Sequence, residues 1–442
     1  MSSKVEVERK ARIETLLKHD DYKFIGFNGA TMIRHKGPYE RLTQEKMVQI
    51  MWQEFPGAAL SNINEAQSLV SALAPDRTRE LDGYIACGAS SSDPKIWDMR
   101  KAEWTDDVFD YVYQTDIVPN DNTAPALKWL VEVADGDENL AQDYLQALAP
   151  LMLHNKPAGV IWFVGNGANG KSTMLKIIHK MFGRYLVSLT TSAVEDGRDT
   201  PQLNGMLGNV CLEASEARVE DSERYKAVGT HESFQVHKFH SQEMTTVNPT
   251  CHTIYNSNTI PTFRDKTKGS RRRTLVIPFN ATFQDDPTYD ERLMTSEFLG
   301  GFLTLLTETA KAMHERGTKY EWSDATQLAK QDYDESVNSA EAFMGHLHEV
   351  NAIGFTNYRM LTMLYENYCS ANGLEALRVG SLKRSLMQEF PVTRRQLLLE
   401  DGRREWRYVW TDNFEGVDWW DNGLGTRGKV EVKMVQAALE DW

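Results

Sequence analysis

Cysteine is scarce in this sequence and scattered: Cys87, Cys211, Cys251 and Cys369 are all there are in 442 residues. No C-x-x-C pair and no neighbouring histidine pair accompanies them, so neither a disulfide framework nor a zinc site is indicated, and a reducing compartment fits. Long apolar runs are missing as well. No stretch of eighteen apolar residues occurs, so no membrane partnership is expected. The first residues, MSSKVEVERKARIETLL, are charged and hold no apolar run before a small-residue cleavage site, which makes the cytoplasm the expected location. Positive charge is in deficit, 49 Lys and Arg against 63 Asp and Glu, for a formal net charge of −14. A chain this acidic cannot coat its outer surface with nucleic acid, so any such contact must be local, in a channel or on one small domain.

What the sequence does have is one informative stretch, Val160 to Phe182, VIWFVGNGANGKSTMLKIIHKMF. Val160–Val164 is an apolar run fit for a buried strand, and Thr173–Phe182 carries apolar residues at helical spacing. Between them GNGANGKS satisfies G-x-x-x-x-G-K-[ST] in full. Backbone N–H groups can close around phosphate oxygens only where no Cβ intervenes, and a helix N-terminus adds a favourable dipole. The expected nucleotide cradle is therefore Gly165, Asn166, Gly167, Ala168, Asn169 and Gly170, followed by Lys171, Ser172 and Thr173. Lys171 is expected on the β- and γ-phosphates of ATP, and the Ser172 hydroxyl in the shell of Mg²⁺.

Around this stretch the chain, long enough for about two to four domains, reads as follows. Residues 1–118 form a mixed α+β region: Val5–Lys18 has helical spacing, Tyr22–Tyr39 reads as short strands joined at Asn28-Gly29, and Thr43 is placed to cap a helix ending at Phe55. Asp106, Asp107, Asp110 and Asp116 are too dispersed for a metal site and read as a solvated face. Residues 119–320 carry the nucleotide domain, entered through two helices split by Asp135-Gly136-Asp137. Past the phosphate loop, Val187–Ala193 reads as a strand and Asp199–Leu207 as a helix. The apolar Val210–Leu212 then runs into Glu213 and Glu216. A carboxylate at such a strand end is placed to hold the metal and the attacking water; both are candidates, with Glu216 favoured. Phe234–Val247 reads as a hairpin whose tip carries His237, Lys238 and His240, a device for touching phosphates inside a pore. His252–Pro261 is a strand ending in two asparagines, an amide there being able to orient a water. Arg271, Arg272 and Arg273 stand at the head of the strand Leu275–Ile277, where consecutive buried-edge arginines call for an anion.

Four blocks, GNGANGKST, NVCLEASEA, NSNTIP and RRRTLVIPF, in this order resemble the superfamily-three helicases of the poxvirus-type and phage/plasmid primase-helicase group, AAA+ ATPases of viruses and mobile elements. The resemblance is tight from Val160 to Phe279 and loose in the flanks. It implies an α/β fold: an AAA+ P-loop core with a parallel sheet and helices, after the N-terminal α+β region. It implies that Glu216 activates water, that Asn258 is the polar sensor, and that Arg272 or Arg273 reaches a neighbouring subunit's nucleotide. It further implies a hexameric ring moving on single-stranded DNA, usually from 3′ to 5′, with Lys238, His237 and His240 on the DNA hairpin, in the host cytoplasm if the chain is viral. Residues 321–345 read as a helical connector, 346–412 as helices followed by a wing, resembling the winged-helix domain behind such cores, and 413–442 as a tail rich in Trp, Asp and Gly. Two departures stand out: Gly229-Thr230-His231 replaces the usual Gly-Gly-Asp turn, and the first hundred residues lack an h-D-h-D pattern, so any primase or polymerase is expected to be a separate polypeptide. The alternatives to a helicase are an AAA+ ATPase that loads or remodels replication or packaging proteins, and a scaffold at a replication origin assembled by nucleotide. The winged domain is as apt to dock protein as DNA.

Overall fold

The computed structural model describes residues 4–28, 30–35, 39–56, 60–91, 93–106, 110–214, 223–237, 243–258, 268–284, 289–337, 339–349, 355–356, 358–372, 374, 376–377, 382, 393–398 and 404–409. The chain forms two compact units, residues 1–330 and 331–442.

The N-terminal part of the first unit contains helices α1 (Lys4–Leu17), α2 (Gln44–Glu54), α3 (Leu60–Leu73) and α4 (Thr78–Leu81) and two small sheets. In one, β1 (Lys23–Phe27), β2 (Ala30–Arg34) and β3 (Tyr39–Arg41) form an antiparallel meander, with Asn28 at φ 47° where the first turn needs a left-handed residue. As expected, Thr43 caps α2, its hydroxyl accepting from the Lys46 N–H. The other sheet runs β6-β5-β4-β7, from β4 (Tyr84–Cys87), β5 (Lys95–Asp98), β6 (Glu103–Thr105) and β7 (Tyr113–Thr115). The expected solvated acidic face needs correction at Asp110. Its carboxylate accepts from Lys23 Nζ at 2.6 Å, Arg77 at 2.6 Å and Arg34 at 3.2 Å. Burial alone would raise its pKa, but the Lys23 and Arg77 hydrogen bonds outweigh it and hold the carboxyl below its ordinary value. Asp106 is exposed, Asp116 accepts from Ser90, and Asp107 lies outside the described residues.

Two helices follow, α5 (Ala124–Val133) and α6 (Glu138–Leu148), the second capped by Asp137, which accepts from Asn139 and Leu140 N–H. They lead to a five-stranded parallel sheet of order β14-β8-β13-β10-β9, made of β8 (Val160–Val164), β9 (Leu186–Val187), β10 (Gly208–Cys211), β13 (His252–Ser257) and β14 (Thr274–Pro278). Every residue of β10 and β13 is buried, as expected where helices cover both faces of a parallel sheet. Helices α7 (Lys171–Phe182), α8 (Thr191–Asp196), α9 (Glu223–Thr230), α10 (Lys268–Arg273), α11 (Tyr289–Leu293) and α12 (Ser296–Glu315) complete this layer, α12 packing on α5 and α6. One core joins Phe163, Phe182 and Phe302 to Phe27, Trp97 and Tyr113 of the N-terminal sheets, so the two parts pack as one body.

The second strand is much shorter than the expected Val187–Ala193. Thr190 accepts from the Ala193 N–H and starts α8, so helix capping interrupts the strand. Likewise Thr200–Leu203 is a single 3₁₀ turn rather than a longer helix. The expected hairpin is present as β11 (Phe234–His237) and β12 (Met244–Val247), paired from Phe234↔Val247 to His237↔Met244.

After α13 (Asp324–Val337), the second unit contains α14 (Ser339–Glu349), β15 (Phe355–Thr356), α15 (Tyr358–Ala371), β16 (Thr393–Leu398) and β17 (Arg404–Val409). The last two strands pair antiparallel, giving a sheet of order β15-β17-β16. Its helical part buries Phe343 and Tyr365, with Ser339 and Tyr365 hydroxyls 2.6 Å apart. The tail 413–442 lies outside the described residues. Among the described residues no helix is long and apolar enough to cross a membrane.

Candidate functional site

The loop Gly165–Gly170 leaves the carboxyl end of β8, with β13 on one side and β14 on the other, while the next strand of the chain lies at the far edge. The connections on either side of β8 thus run in opposite directions, and such a switch point opens a crevice at the carboxyl ends of the strands. The loop's backbone explains its composition. Gly167 and Gly170 have φ 94° and 88°, and even Ala168 is left-handed at φ 46°. A Cβ at Gly165 would lie 2.3 Å from both Asn169 Nδ2 and the Phe279 carbonyl. Asn169 is buried and donates to that carbonyl at 3.1 Å, and the Phe283 N–H donates to the Ala168 carbonyl at 2.7 Å. The chain just after β14 therefore holds the loop's shape.

Lys171 is 4% exposed and donates to the Gly165 carbonyl at 2.6 Å and to Asn169 Oδ1 at 3.0 Å. Burial pushes its pKa below the usual lysine value. Both partners are neutral oxygens, so a buried cation here gains most from an anion. Asn166, Gly167, Ala168 and Ser172 are exposed. Ser172 accepts at 3.1 Å from Nδ2 of Asn256, the penultimate residue of β13; the same amide donates to the Leu212 carbonyl at 2.6 Å, at the end of β10. Asn256 is 7% exposed, and its Oδ1 is buried without a hydrogen-bond partner. Thr173 and Lys176 donate to the two oxygens of Asp290 in α11, at 2.9 and 2.6 Å. The Lys176 hydrogen bond is the main cause holding the Asp290 carboxyl below its ordinary pKa. Thr173, read as part of the cradle, thus has its hydroxyl engaged by α11.

The other expected site residues are spread around this centre. Glu213 follows β10 and is exposed; Glu216, Lys238 and His240 lie outside the described residues. His237 is exposed at the end of β11. Asn258 is exposed just past β13, whereas Asn256 touches the phosphate-loop serine. Arg271, Arg272 and Arg273 form the last turn of α10, buried, exposed and half-buried in that order. They sit at the amino end of β14, whose Thr274 pairs with Val160 and Pro278 with Val164. A strand rise of about 3.3 Å per residue puts Thr274, level with Val160, roughly 17 Å along the sheet from the start of the loop at Gly165, and the arginines precede it. They therefore stand at the sheet edge opposite Lys171 of the same chain. Among the described residues no group of three or more His, Cys, Asp or Glu is arranged to hold a metal.

No protein-family model matches the chain. It is 25% identical over 179 residues to "Putative helicase 022R" of frog virus 3 (isolate Goorha), a match covering 37% of this chain. The match takes in only 18% of that protein, so this chain spans a minor part of its relative's length. In shape it is similar to two apo structures of the C-terminal region of NrS-1, each with TM-score 0.48 and covering 90% of this chain and 98% of that one, at 16% and 18% identity.

Sequence reasoning saw both asparagines at the end of β13 but singled out Asn258 rather than Asn256, and it missed Asp290. For Asn256 the signal was present: period-two alternation puts it on the same face as Asn258, one step deeper. For Asp290 it was absent, since 117 residues separate it from Thr173.

Proposed function

We propose that the chain is an ATP-driven DNA helicase of viral replication, of the superfamily-three AAA+ type, working as a homohexameric ring on single-stranded DNA in the host cytoplasm. The observation that carries this reading is Lys171, a buried ammonium at the switch point of a parallel sheet, on a loop that cannot accept a Cβ at Gly165. The residues fit ATP and Mg²⁺: exposed loop backbone for the phosphates, the Ser172 hydroxyl for the metal, and the unpartnered Asn256 Oδ1 beside it. When bound, magnesium and ATP supply phosphoryl transfer to water. Lys171 exchanges the Gly165 carbonyl for phosphate oxygens. Asn256 holds the Ser172 side chain in place, Asn258 serves as the sensor, and Glu216, or Glu213 in its stead, takes the proton of the attacking water. Arg272 or Arg273, too far along the strand to serve its own loop, reaches the neighbouring copy's phosphates, which ties hydrolysis to subunit movement. Lys238, His237 and His240 at the hairpin tip grip the strand, moving it 3′ to 5′, with primase or polymerase supplied by another chain.

The name carried by the frog virus 3 protein supports this reading, as does the order of the four sequence blocks. Strand displacement on forked DNA, run with the wild type and Lys171→Ala, tests it. ATP turnover without unwinding would assign the chain to loading or remodelling, and assembly with ATP but negligible turnover would assign it to a scaffold.

A further inference from the structure

At the amino ends of β8, β10 and β13, the opposite edge of the sheet from the phosphate loop, lies a cavity of about 290 Å³. That is near the lower limit of small-molecule sites, about 300 Å³, and far more than the ~30 Å³ share of one water. Its polar lining comes from four parts of the chain: the N-terminal region through Asn28, Asp82 and Tyr113, the lead-in to β8 through His154 to Lys156, the turn after α9 through His231, and the foot of the hairpin through Thr250, with Met206 and Leu207 ahead of β10 adding apolar wall.

The chemistry of these walls is cationic in a chain of net charge −14. Lys156 donates to the carbonyls of Pro150 and Leu153 at 2.9 and 2.6 Å, both neutral, which leaves a third N–H on the ammonium. His231 is held at φ 58°, a left-handed conformation uncommon outside glycine, with Nδ1 2.9 Å from the Pro249 carbonyl. Its Nε2 is buried with no hydrogen bond of normal geometry, although the Pro157 carbonyl, like that of Pro249, acts on the ring. Burial holds the ring's pKa below the ordinary histidine value, so the neutral ring, with Nδ1–H turned to the Pro249 carbonyl, offers Nε2 as an acceptor for a ligand hydroxyl such as the P–OH of a monoprotonated phosphate. Asp82, the acidic residue of the lining, is paired with Arg100 and lies 3.9 Å from His154 Nδ1, so its charge is already met. Asn155 and Thr250, both exposed, add an amide and a hydroxyl at the mouth.

We propose that this cavity is a second binding site, separate from the phosphate loop, for a phosphate group carried as inorganic phosphate or as a small monoester. A ligand seated there touches the lead-in to β8, the strand that runs into the phosphate loop, and the foot of the hairpin at once. That lead-in is already tied to the last turn of α9 by the Gly159 N–H donating to the Gly229 carbonyl at 2.7 Å. The inference does not depend on helicase activity.

The test uses full-length Lys171→Ala protein, so that the phosphate loop contributes no binding, titrated with inorganic phosphate by calorimetry and with ribose 5-phosphate as a second arm. One equivalent of phosphate per chain is expected. Asn155→Asp, which sets a carboxylate at the exposed mouth, and Lys156→Met are each expected to weaken binding at least about tenfold. Stronger binding of the ester than of free phosphate identifies a monoester as the ligand, and the reverse identifies inorganic phosphate. Should Lys156→Met fail to fold, Asn155→Asp decides. No heat up to ~10 mM phosphate, or equal affinity in Asn155→Asp, overturns the proposal.

Discussion

Lys171 and Lys156 stand at opposite ends of the same parallel sheet, each an ammonium whose hydrogen bonds go to neutral oxygens. Around Lys171 the surroundings are one glycine-rich loop of consecutive residues, Asn166 to Ala168 exposed, in which the Gly165 carbonyl and the Asn169 side chain take its hydrogen bonds. Around Lys156 they are side chains, brought from four segments over more than a hundred residues of sequence. A site made of consecutive backbone is written in one stretch of sequence, whereas a site made of converging side chains exists only after folding. The carboxyl end is therefore the expected seat of turnover, and the amino end of binding and stability.

That division can be broken at several points. Lys171→Ala has the largest expected effect, at least ~100-fold on ATP turnover, because a positioned cation on developing phosphate charge is worth several kcal/mol; turnover within a few-fold of wild type would leave the loop without a catalytic role. Next, Arg272→Ala or Arg273→Ala should keep nucleotide binding and lose hydrolysis by ~100-fold or more, measured by fluorescent-nucleotide binding beside phosphate release. Normal hydrolysis in both variants would refute the contribution from a neighbouring copy. Asn256→Ala should reduce turnover about tenfold and raise the magnesium requirement, as expected for loss of one hydrogen bond to the metal-side serine; an unchanged magnesium dependence would make Asn256 purely structural.

The smallest effect lies at the amino end and concerns stability. His252 is fully buried in β13, Nε2 2.8 Å from the Ala147 carbonyl, with Nδ1 unpartnered. Burial pushes its pKa from 6.5 down to about 3, so the native state keeps the ring neutral while the unfolded chain takes up a proton below 6.5. Its contribution is intact above that value and is lost as pH falls towards 3, by up to about 1.4 kcal/mol per pH unit. Urea midpoints of the wild type should drop more steeply on acidification than those of His252→Gln; parallel curves would remove this histidine from the acid response.

Legibility followed the same divide. The strand, loop and helix around Lys171, the Asn28 turn, the Thr43 cap and the split between α5 and α6 rest on local signals, and each was readable from a few adjacent residues. The stretch after α7 was misread because apolar residues of Val187–Ala193 were weighed above the capping threonine at 190. Asp110 was read as solvated since its partners Lys23, Arg34 and Arg77 are all at least 33 residues away. The Asp290 clamp on Thr173 and Lys176 escaped notice for the same reason.

One last consequence belongs to β14. Its head is the arginine turn of α10, and directly beyond its tail Phe279 offers the carbonyl that Asn169 grips. Between them run Thr274–Pro278, hydrogen-bonded to β8 along their length, without a glycine or a bulge to absorb a shift. Head and tail are in effect a single stiff lever: whatever nudges the guanidiniums also tilts the rim of the cradle in that same molecule.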